Sequence, residues 1–164
     1  EKLLQTDAYR QAKRIGAYLC LPEEVNVKSI IEAAWADGKS VYLPVVLDWG
    51  QVLKFAPYTP DSKLIRDRLD IEIPAVCATK YLEASALDMV VTPLVAFDEQ
   101  RNRIGMGGGF YDRTFAFKAE AKPFSKPQLI GVAFETQRLP VTITANPWDI
   151  CPDAIITEQR IYTP

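Results

Sequence analysis

The sequence predicts a three-layer α/β/α sandwich around a mostly parallel central sheet. Residues 14–46 carry strand, helix and strand patterns in succession, and such a βαβ unit normally crosses over right-handed onto a parallel sheet. Apolar runs at 87–92, 128–134 and 154–157 indicate further buried strands. A chain of 164 residues suits one domain with a single sizeable core, so we expect residues 1–164 to form one unit.

The first part of the chain supplies the βαβ unit. Residues 1–13 are polar and predicted to be helical, and residues 14–21 form the near-continuous apolar run of a buried parallel strand. Asn26 can cap a helix whose apolar residues recur at helical spacing, and Gly38 is placed to end it. Residues 40–46 then form the next strand.

The rest of the chain is less regular between its core strands. Residues 52–56 predict a shorter strand towards an edge of the sheet, because prolines follow it. We interpret residues 60–86 as loops around a weak helical segment. Residues 119–127 predict a surface loop, and residues 139–152 a proline-rich connection to the last strand.

Composition excludes several classes of partner. The net charge of −2 leaves no electrostatic footprint for nucleic acid or an anionic membrane. No apolar run approaches the roughly 20 residues that span a bilayer, and no signal peptide opens the sequence. Three cysteines without paired spacing favour a reducing, cytoplasmic location over a disulfide framework. No interface signature stands out, so we expect a monomer.

The chain contains no histidine. A Ser-His-Asp triad, an imidazole base and a histidine zinc site are therefore excluded. The remaining chemistry rests on carboxylates, Lys, Arg, Tyr and a hard metal ion, which suits phosphoryl transfer with Mg²⁺ better than hydrolysis.

A glycine-rich segment is the most informative stretch of the sequence. Residues 101–113 hold four of the eight glycines, three arginines and one aspartate, between a buried strand and a helix that starts at Phe110. Backbone N–H groups of such a turn can converge on an anion, and arginines add charge-assisted contacts to phosphate. The spacing matches neither the Walker loop nor the dinucleotide fingerprint. We interpret it as a phosphate site, with a flexible turn leading into a helix as the alternative.

Two aspartates could hold a metal ion beside that phosphate. Asp112 lies in the first turn of the predicted helix, and Asp149 lies in the proline-fixed segment Asn-Pro-Trp-Asp. Together they could bind one hydrated Mg²⁺, which takes one or two protein carboxylates plus substrate phosphate. The alternatives are a helix-capping role for Asp112 and a turn role for Asp149.

Carboxylates and flat side chains suggest a site for a heterocycle. Glu23 and Glu24 follow the first strand and could accept hydrogen bonds from ring N–H groups, although a solvated acid at a helix start is the alternative. Aromatic and soft side chains near the glycines and acids could line a pocket for a flat ligand, or could simply be core: Phe97, Met106, Phe110, Tyr111 and Trp148.

Two segments, 94–98 and 103–113, resemble the signature of the 5-formyltetrahydrofolate cyclo-ligase (methenyltetrahydrofolate synthetase) family, in its bacterial form. The resemblance extends to Glu24, to residues 38–44 and to the segments 147–149 and 155–157. It covers nearly the whole chain. It implies a Rossmann-like α/β sandwich and ATP-dependent conversion of 5-formyltetrahydrofolate to 5,10-methenyltetrahydrofolate, with ADP and phosphate as products.

The resemblance also implies roles for individual residues, with Arg103, Tyr111 and Asp112 as catalytic and Asp112 and Asp149 as ligands of Mg²⁺. It implies that ATP, the co-substrate, is bound by Arg103, Ile104, Gly105, Met106, Gly107, Gly108, Gly109, Phe110 and Tyr111. It implies that folate is bound by Leu19, Glu24, Met106, Gly107, Gly108, Gly109 and Phe110.

Two departures from the family pattern keep other functions open. Members typically begin with a basic helix that reaches the nucleotide phosphates, and this sequence starts after that segment. Some members carry a lysine in the loop where this chain has Gly108. A non-catalytic folate-binding or storage protein on the same scaffold is therefore the alternative. A sugar-phosphate or CoA-using enzyme of similar architecture is a further one, although the paired aspartates fit a metal–nucleotide site better.

Overall fold

The computed structural model describes residues 1–164, with short helices and twelve strands. The helices are α1 Asp7–Gln11, α2 Lys28–Ala36 and α3 Phe110–Thr114, with 3₁₀ turns at Lys2–Gln5, Ala78–Lys80, Ala84–Ala86, Ala116–Lys118 and Glu135–Gln137. The strands are β1 Arg14–Gly16, β2 Ser40–Val45, β3 Lys54–Tyr58, β4 Leu64–Arg66, β5 Glu72–Pro74, β6 Leu82–Glu83, β7 Met89–Thr92, β8 Ala96–Phe97, β9 Arg103–Ile104, β10 Gln128–Val132, β11 Ala154–Ile156 and β12 Ile161–Tyr162. None of the helices combines the length and the hydrophobicity needed to cross a membrane.

Eight strands form one central sheet in the order β12-β11-β10-β7-β1-β2-β3-β6. The five strands from β11 to β2 are parallel, and β12, β3 and β6 add antiparallel margins. The chain builds outward from β1 to β2 on one side, and then from β7 through β10 to β11 on the other. The strand order therefore reverses between β1 and β7, and such a switch point opens a crevice at the carboxyl ends of the strands.

Side chains of the central strands alternate between two apolar layers. Met89 and Val91 pack in the core cluster shared with α1 and α2, whereas Val90 packs in the cluster that contains Phe115, which follows α3. All four residues of β7 are buried, as expected for a strand covered on both faces. The predicted three-layer, mostly parallel α/β fold is confirmed.

Asn26 and Gly38 flank α2 as predicted, but Asn26 is not its capping residue. The Lys28 N–H donates to Asn26 Oδ1 at 2.9 Å, so the Asn26 side chain binds the first turn although Val27 occupies the capping position. Ile30, Ile31 and Ala34 are buried on the sheet-facing side of the helix. Gly38 has a positive φ of 70°, the left-handed conformation that ends many helices and that glycine adopts without steric cost.

Strand β1 is shorter than predicted, because only Arg14–Gly16 pairs with β2, and only Ile15 and Gly16 also pair with β7. A Cβ at Gly16 would lie 3.1 Å from side-chain atoms of both Leu87 and Val90, so the neighbouring side chains pack closely over its backbone. The Ala17 N–H still donates to the Tyr42 carbonyl of β2 at 2.9 Å, and residues 18–21 then continue beyond the carboxyl end of the strand.

Four short hairpin or edge elements were not predicted. Residues 60–86 hold the β4–β5 hairpin and the edge strand β6, and their helical content is limited to two 3₁₀ turns. Asp67 Oδ1 accepts the Leu69 and Ile71 N–H groups and closes the tight turn of the hairpin. A second hairpin, β8–β9, separates β7 from the glycine loop. Strand β12 extends the sheet beyond β11, and the strand expected at 52–56 lies at Lys54–Tyr58, next to the margin.

Candidate functional site

A cavity of about 1110 Å³ opens at the carboxyl ends of β1, β7 and β10. Glu24 reaches it from the segment after β1, Leu94 from the segment after β7, and Gln137 from the segment after β10. The glycine loop and the connection that carries Asp149 complete its wall. The cavity therefore lies at the switch point of strand order, where ligands bind in sheets of this kind.

The glycine loop joins β9 to α3. Gly107 and Gly109 have φ values of 91° and 63°, which residues with a Cβ rarely adopt. None of the five N–H groups of residues 105–109 donates to a backbone oxygen of the chain. The predicted helix after the loop is confirmed as α3, which spans five residues. The strand that leads into the loop is the two-residue β9 of an unpredicted hairpin rather than the buried strand expected at 87–92. The available anion donors are thus the loop amides rather than a long helix dipole.

Arg113 fixes the conformation of this loop. Its Nη2 donates to the carbonyl oxygen of Gly108 at 2.8 Å, and its guanidinium lies 5.1 Å from the ring centre of Phe110. A Cβ at Gly109 would lie 2.9 Å from Arg113 Nη1. The loop is therefore held from its helical side, with Phe110 beneath the arginine.

Arg103 and Asp112 form the ion pair at the base of the loop. Arg103 Nη2 donates to Asp112 Oδ1 at 2.7 Å, and the two side chains are 8% and 21% exposed. The Ile150 N–H donates to the same oxygen at 3.0 Å. Asp112 Oδ2 has no hydrogen-bond partner within the chain and remains available to a ligand.

Asp149 lies in a turn that its own side chain closes. The Asn146 N–H donates to Asp149 Oδ2 at 2.7 Å, and the Asp149 N–H donates to the Asn146 carbonyl at 3.1 Å. Asp149 Oδ1 makes no hydrogen bond within the chain. Ile150, which directly follows Asp149, donates its N–H to Asp112. The two predicted metal ligands are therefore tied to one wall of the cavity. Each carboxylate thus has one oxygen engaged and one free.

Glu24 adds a carboxylate to the cavity lining from the segment after β1. The Leu21 N–H donates to its Oε2 at 2.8 Å, which fixes the turn after β1. Burial raises the pKa of Tyr111 well above its ordinary value, the Glu24 charge raises it further, and Arg103 opposes the shift. Burial and then Glu24 likewise raise the pKa of Tyr18, whose hydroxyl donates to the Val25 carbonyl at 2.8 Å. The shifts make ionisation of the Tyr111 hydroxyl still less favourable than in an ordinary tyrosine, so it is a hydrogen-bond donor in the cavity.

The comparison with protein families identifies the chain. Residues 1–158 match the model of the 5-formyltetrahydrofolate cyclo-ligase family. The chain belongs to this family. The resemblance stated from its motifs is confirmed, as is the expectation that the chain is an enzyme.

Curated cyclo-ligase relatives and a solved structure agree with this membership. The chain is 38% identical to the 5-formyltetrahydrofolate cyclo-ligase of Escherichia coli K12 over 156 residues, covering 92% of this chain and 81% of that protein. It is 37% identical to the Haemophilus influenzae cyclo-ligase, over 86% of this chain and 73% of that protein. The fold is similar to the NMR structure of Aquifex aeolicus 5,10-methenyltetrahydrofolate synthetase, with a TM-score of 0.78 and 23% identity over 99% of this chain and 77% of that one.

The structure brings nearly all the predicted site residues of this chain to one cavity. Glu24, Asp149 and every residue from 103 to 112 line it. Leu19 does not: it packs against the core cluster on the α2 side, and Leu21 reaches the cavity instead. Among the flat side chains considered, Phe97 is fully buried against Tyr162, with ring centres 5.1 Å apart, and belongs to the core.

Several lining residues were missed by sequence reasoning. Gln137 donates through Nε2 to the carbonyls of Leu94 and Val95, and so joins the segments after β10 and β7. The signal that could have found it is its position just beyond the carboxyl end of a predicted core strand. The other missed residues lie after β7, after β10 and in the connection that carries Asp149: Pro93, Leu94, Val95, Phe134, Thr136, Ile143, Thr144 and Asn146.

Proposed function

We propose that this chain converts 5-formyltetrahydrofolate to 5,10-methenyltetrahydrofolate with hydrolysis of ATP to ADP and phosphate, in the presence of Mg²⁺. The observation that carries the proposal is the combination at one cavity of unpaired loop amides, Arg103 and two half-free carboxylates. Membership of the cyclo-ligase family supports the reaction class. The name of the Escherichia coli relative supports the folate substrate.

The glycine loop suits a polyphosphate. Its amides have no partner in the chain, so a bound phosphate oxygen would satisfy donors that water otherwise satisfies. Positive φ values keep Gly107 and Gly109 in a conformation that turns successive amides in one direction. Arg103 stands beside the loop as the charge that would balance the phosphate.

The two aspartates fit Mg²⁺. A hard cation prefers oxygen ligands, and Mg²⁺ is usually held by one or two carboxylates plus substrate phosphates and water. Asp112 Oδ2 and Asp149 Oδ1 would hold it, since their other oxygens already accept backbone N–H groups. The ion would neutralise charge on the phosphates.

The proposed chemistry needs positioning and charge balance more than proton transfer. The formyl oxygen attacks the γ-phosphorus of ATP and ADP leaves. N10 then attacks the activated formyl carbon and gives up its proton to the departing phosphate, which leaves as the ring closes. Arg103 would offset negative charge on the transferred group. The Tyr111 hydroxyl, whose pKa burial moves still further above neutrality, would donate a hydrogen bond to an oxygen acceptor. Glu24 would accept hydrogen bonds from N–H groups of the pterin.

The deciding experiment is absorbance in the methenyl-folate band after mixing the purified chain with 5-formyltetrahydrofolate, Mg²⁺ and ATP. We expect the band to grow only when both ATP and Mg²⁺ are present. The control replaces ATP with ADP and should give no band. Absence of the band while calorimetry still detects folate binding would support the storage alternative. Absence of both the band and folate binding would refute the proposal.

A further inference from the structure

One of the three tryptophans has no partner within the chain. Trp35 donates its indole N–H to the Tyr58 carbonyl at 3.0 Å and packs on the Tyr58 ring. Trp49 packs edge-on against Phe110, with ring centres 5.4 Å apart. Trp148 makes neither kind of contact, lines the cavity and is 67% exposed. Its ring face and its N–H donor are both free at a binding cavity.

The exposure of Trp148 does not come from a loose segment. The Ile143 N–H donates to the buried Asp98 carboxylate at 2.8 Å, which anchors the connection before Trp148. On either side of Trp148 in the sequence, the Asn146 N–H donates to Asp149 Oδ2 and the Ile150 N–H donates to Asp112 Oδ1. The backbone that carries Trp148 is therefore fixed, and the ring is held out into the cavity.

Other apolar side chains surround the same opening. Met106, in the glycine loop, is 73% exposed, and Phe134, after β10, is 45% exposed; both line the cavity. An exposed apolar patch beside polar groups marks a ligand groove more often than an inert surface. An indole offers a large flat face on which a heteroaromatic ring stacks favourably.

We propose that Trp148 is a ring-stacking residue of this cavity, and that its free face holds a flat heteroaromatic ring of a substrate. The inference rests on the proposed function, which supplies two such rings, the adenine of ATP and the pterin of the folate. Stacking chemistry is common to both, and the free indole N–H can donate to a ring or carbonyl acceptor of either. Binding experiments with each ligand alone distinguish the two sources.

Tryptophan fluorescence tests whether Trp148 contacts the ring of a bound ligand. The full chain is titrated separately with ADP plus Mg²⁺ and with 5-formyltetrahydrofolate, in wild type and in two variants. Trp148→Phe removes the emitter but keeps a flat ring, and Trp49→Phe is the matched control, since Trp49 is equally exposed but does not line the cavity. We expect one ligand to change the emission of wild type and of Trp49→Phe, and to leave that of Trp148→Phe nearly unchanged.

Affinity supplies the second readout. Trp148→Ala should raise the Kd of that same ligand about tenfold to a hundredfold, as measured by calorimetry, because losing a stacking contact with an aromatic side chain lowers affinity by about that factor. Trp148→Phe should restore most of the affinity. Val141→Ala, an exposed position in the same connection outside the cavity, should change nothing. Unchanged Kd values for both ligands in Trp148→Ala would overturn the inference, whereas a wild-type chain that binds neither ligand would overturn the proposed function itself.

Discussion

Arg103 Nη2 lies 2.7 Å from Asp112 Oδ1, and this oxygen also accepts the Ile150 N–H. The pair joins the start of the glycine loop, helix α3 and the connection that carries Asp149. Three stretches of sequence therefore meet at one carboxylate. In the absence of ligand, Arg103, which is proposed to balance phosphate charge, is thus held in place by Asp112, which is proposed to bind the metal.

Removing the Asp112 carboxylate should cost both stability and activity. Asp112→Ala leaves a buried guanidinium without its partner and an N–H without its acceptor, so we expect the free energy of unfolding to fall by about 3 kcal/mol. Asp112→Asn keeps an oxygen at the same place and should lose less. Both variants should lose ATP-dependent turnover. Urea denaturation and the absorbance assay measure the two effects.

Asp61→Ala, at an exposed position outside the cavity, is the control and should change neither quantity. If Asp112→Ala were as stable as wild type, the ion pair would contribute nothing to the fold. If it were fully active, Asp112 would have no place in the mechanism.

The core of the fold was predictable because its strands are buried on both faces. Met89–Thr92 and Gln128–Val132 are almost entirely buried, so their sequences are continuous apolar runs. Strands β8, β9 and β12 have two residues each, too few for any periodicity. Their pairing depends on contacts made only in the folded chain, such as the packing of Phe97 on Tyr162.

The site was predictable where residue type limits the chemistry. The glycine loop was found because positive φ values at Gly107 and Gly109 require glycine. Leu19 shows the opposite case: β1 ends at Gly16, so irregular backbone rather than strand alternation decides which leucine reaches the cavity. Gln137 carries no motif beyond its position after a core strand, and its contacts with the Leu94 and Val95 carbonyls form only in the folded chain.

The conformation of the glycine loop predicts a difference between two otherwise similar substitutions. Gly107 has a φ of 91°, whereas Gly105 does not have a positive φ, and a Cβ there would lie 3.5 Å from the nearest atom, Arg103 Nη1. Gly107→Ala should lower the free energy of unfolding by about 1–2 kcal/mol, because a Cβ is strained at that φ. Gly105→Ala should be neutral or slightly stabilising. Urea denaturation of the two variants gives the comparison, and equal losses would mean that backbone strain is not the cause.

Asp88 predicts a pH dependence of stability. Burial alone would raise its pKa, but hydrogen bonds from Lys126 and from the Arg14 and Lys13 N–H groups outweigh it and lower the pKa to about 2. A carboxyl whose pKa is depressed in the folded state stabilises the fold above its ordinary pKa, and this stabilisation is lost as the pH falls towards the folded value. We expect Asp88→Asn to be about 2 kcal/mol less stable than wild type at neutral pH.

That difference should shrink between about pH 5 and pH 2, where the wild-type carboxylate becomes protonated. Urea denaturation at a series of pH values measures it. Because Asp88 directly precedes β7, at the end of the sheet away from the cavity, turnover of Asp88→Asn at neutral pH should match wild type. A stability difference that stayed constant down to pH 2 would contradict the assignment of the effect to ionisation.

Glu24 predicts a selective effect on the folate. Its Oε2 accepts the Leu21 N–H at 2.8 Å, and an amide oxygen can accept the same bond, so Glu24→Gln should keep the turn and the stability of the fold. The variant loses the charge and one acceptor proposed to face the pterin N–H groups. A hydrogen bond to a charged group contributes about 1.5–3 kcal/mol, so the KM for 5-formyltetrahydrofolate should rise about tenfold or more.

The KM for ATP separates this role from a general disturbance of the cavity. If Glu24 reads the pterin, the KM for ATP stays at the wild-type value while the KM for the folate rises. Glu32→Gln, on the exposed side of α2 where Glu32 lies 3.7 Å from Lys28, should change neither constant. Equal increases in both constants for Glu24→Gln would mean that the carboxylate shapes the cavity as a whole, because a contact made by only one substrate cannot weaken the binding of the other by the same factor.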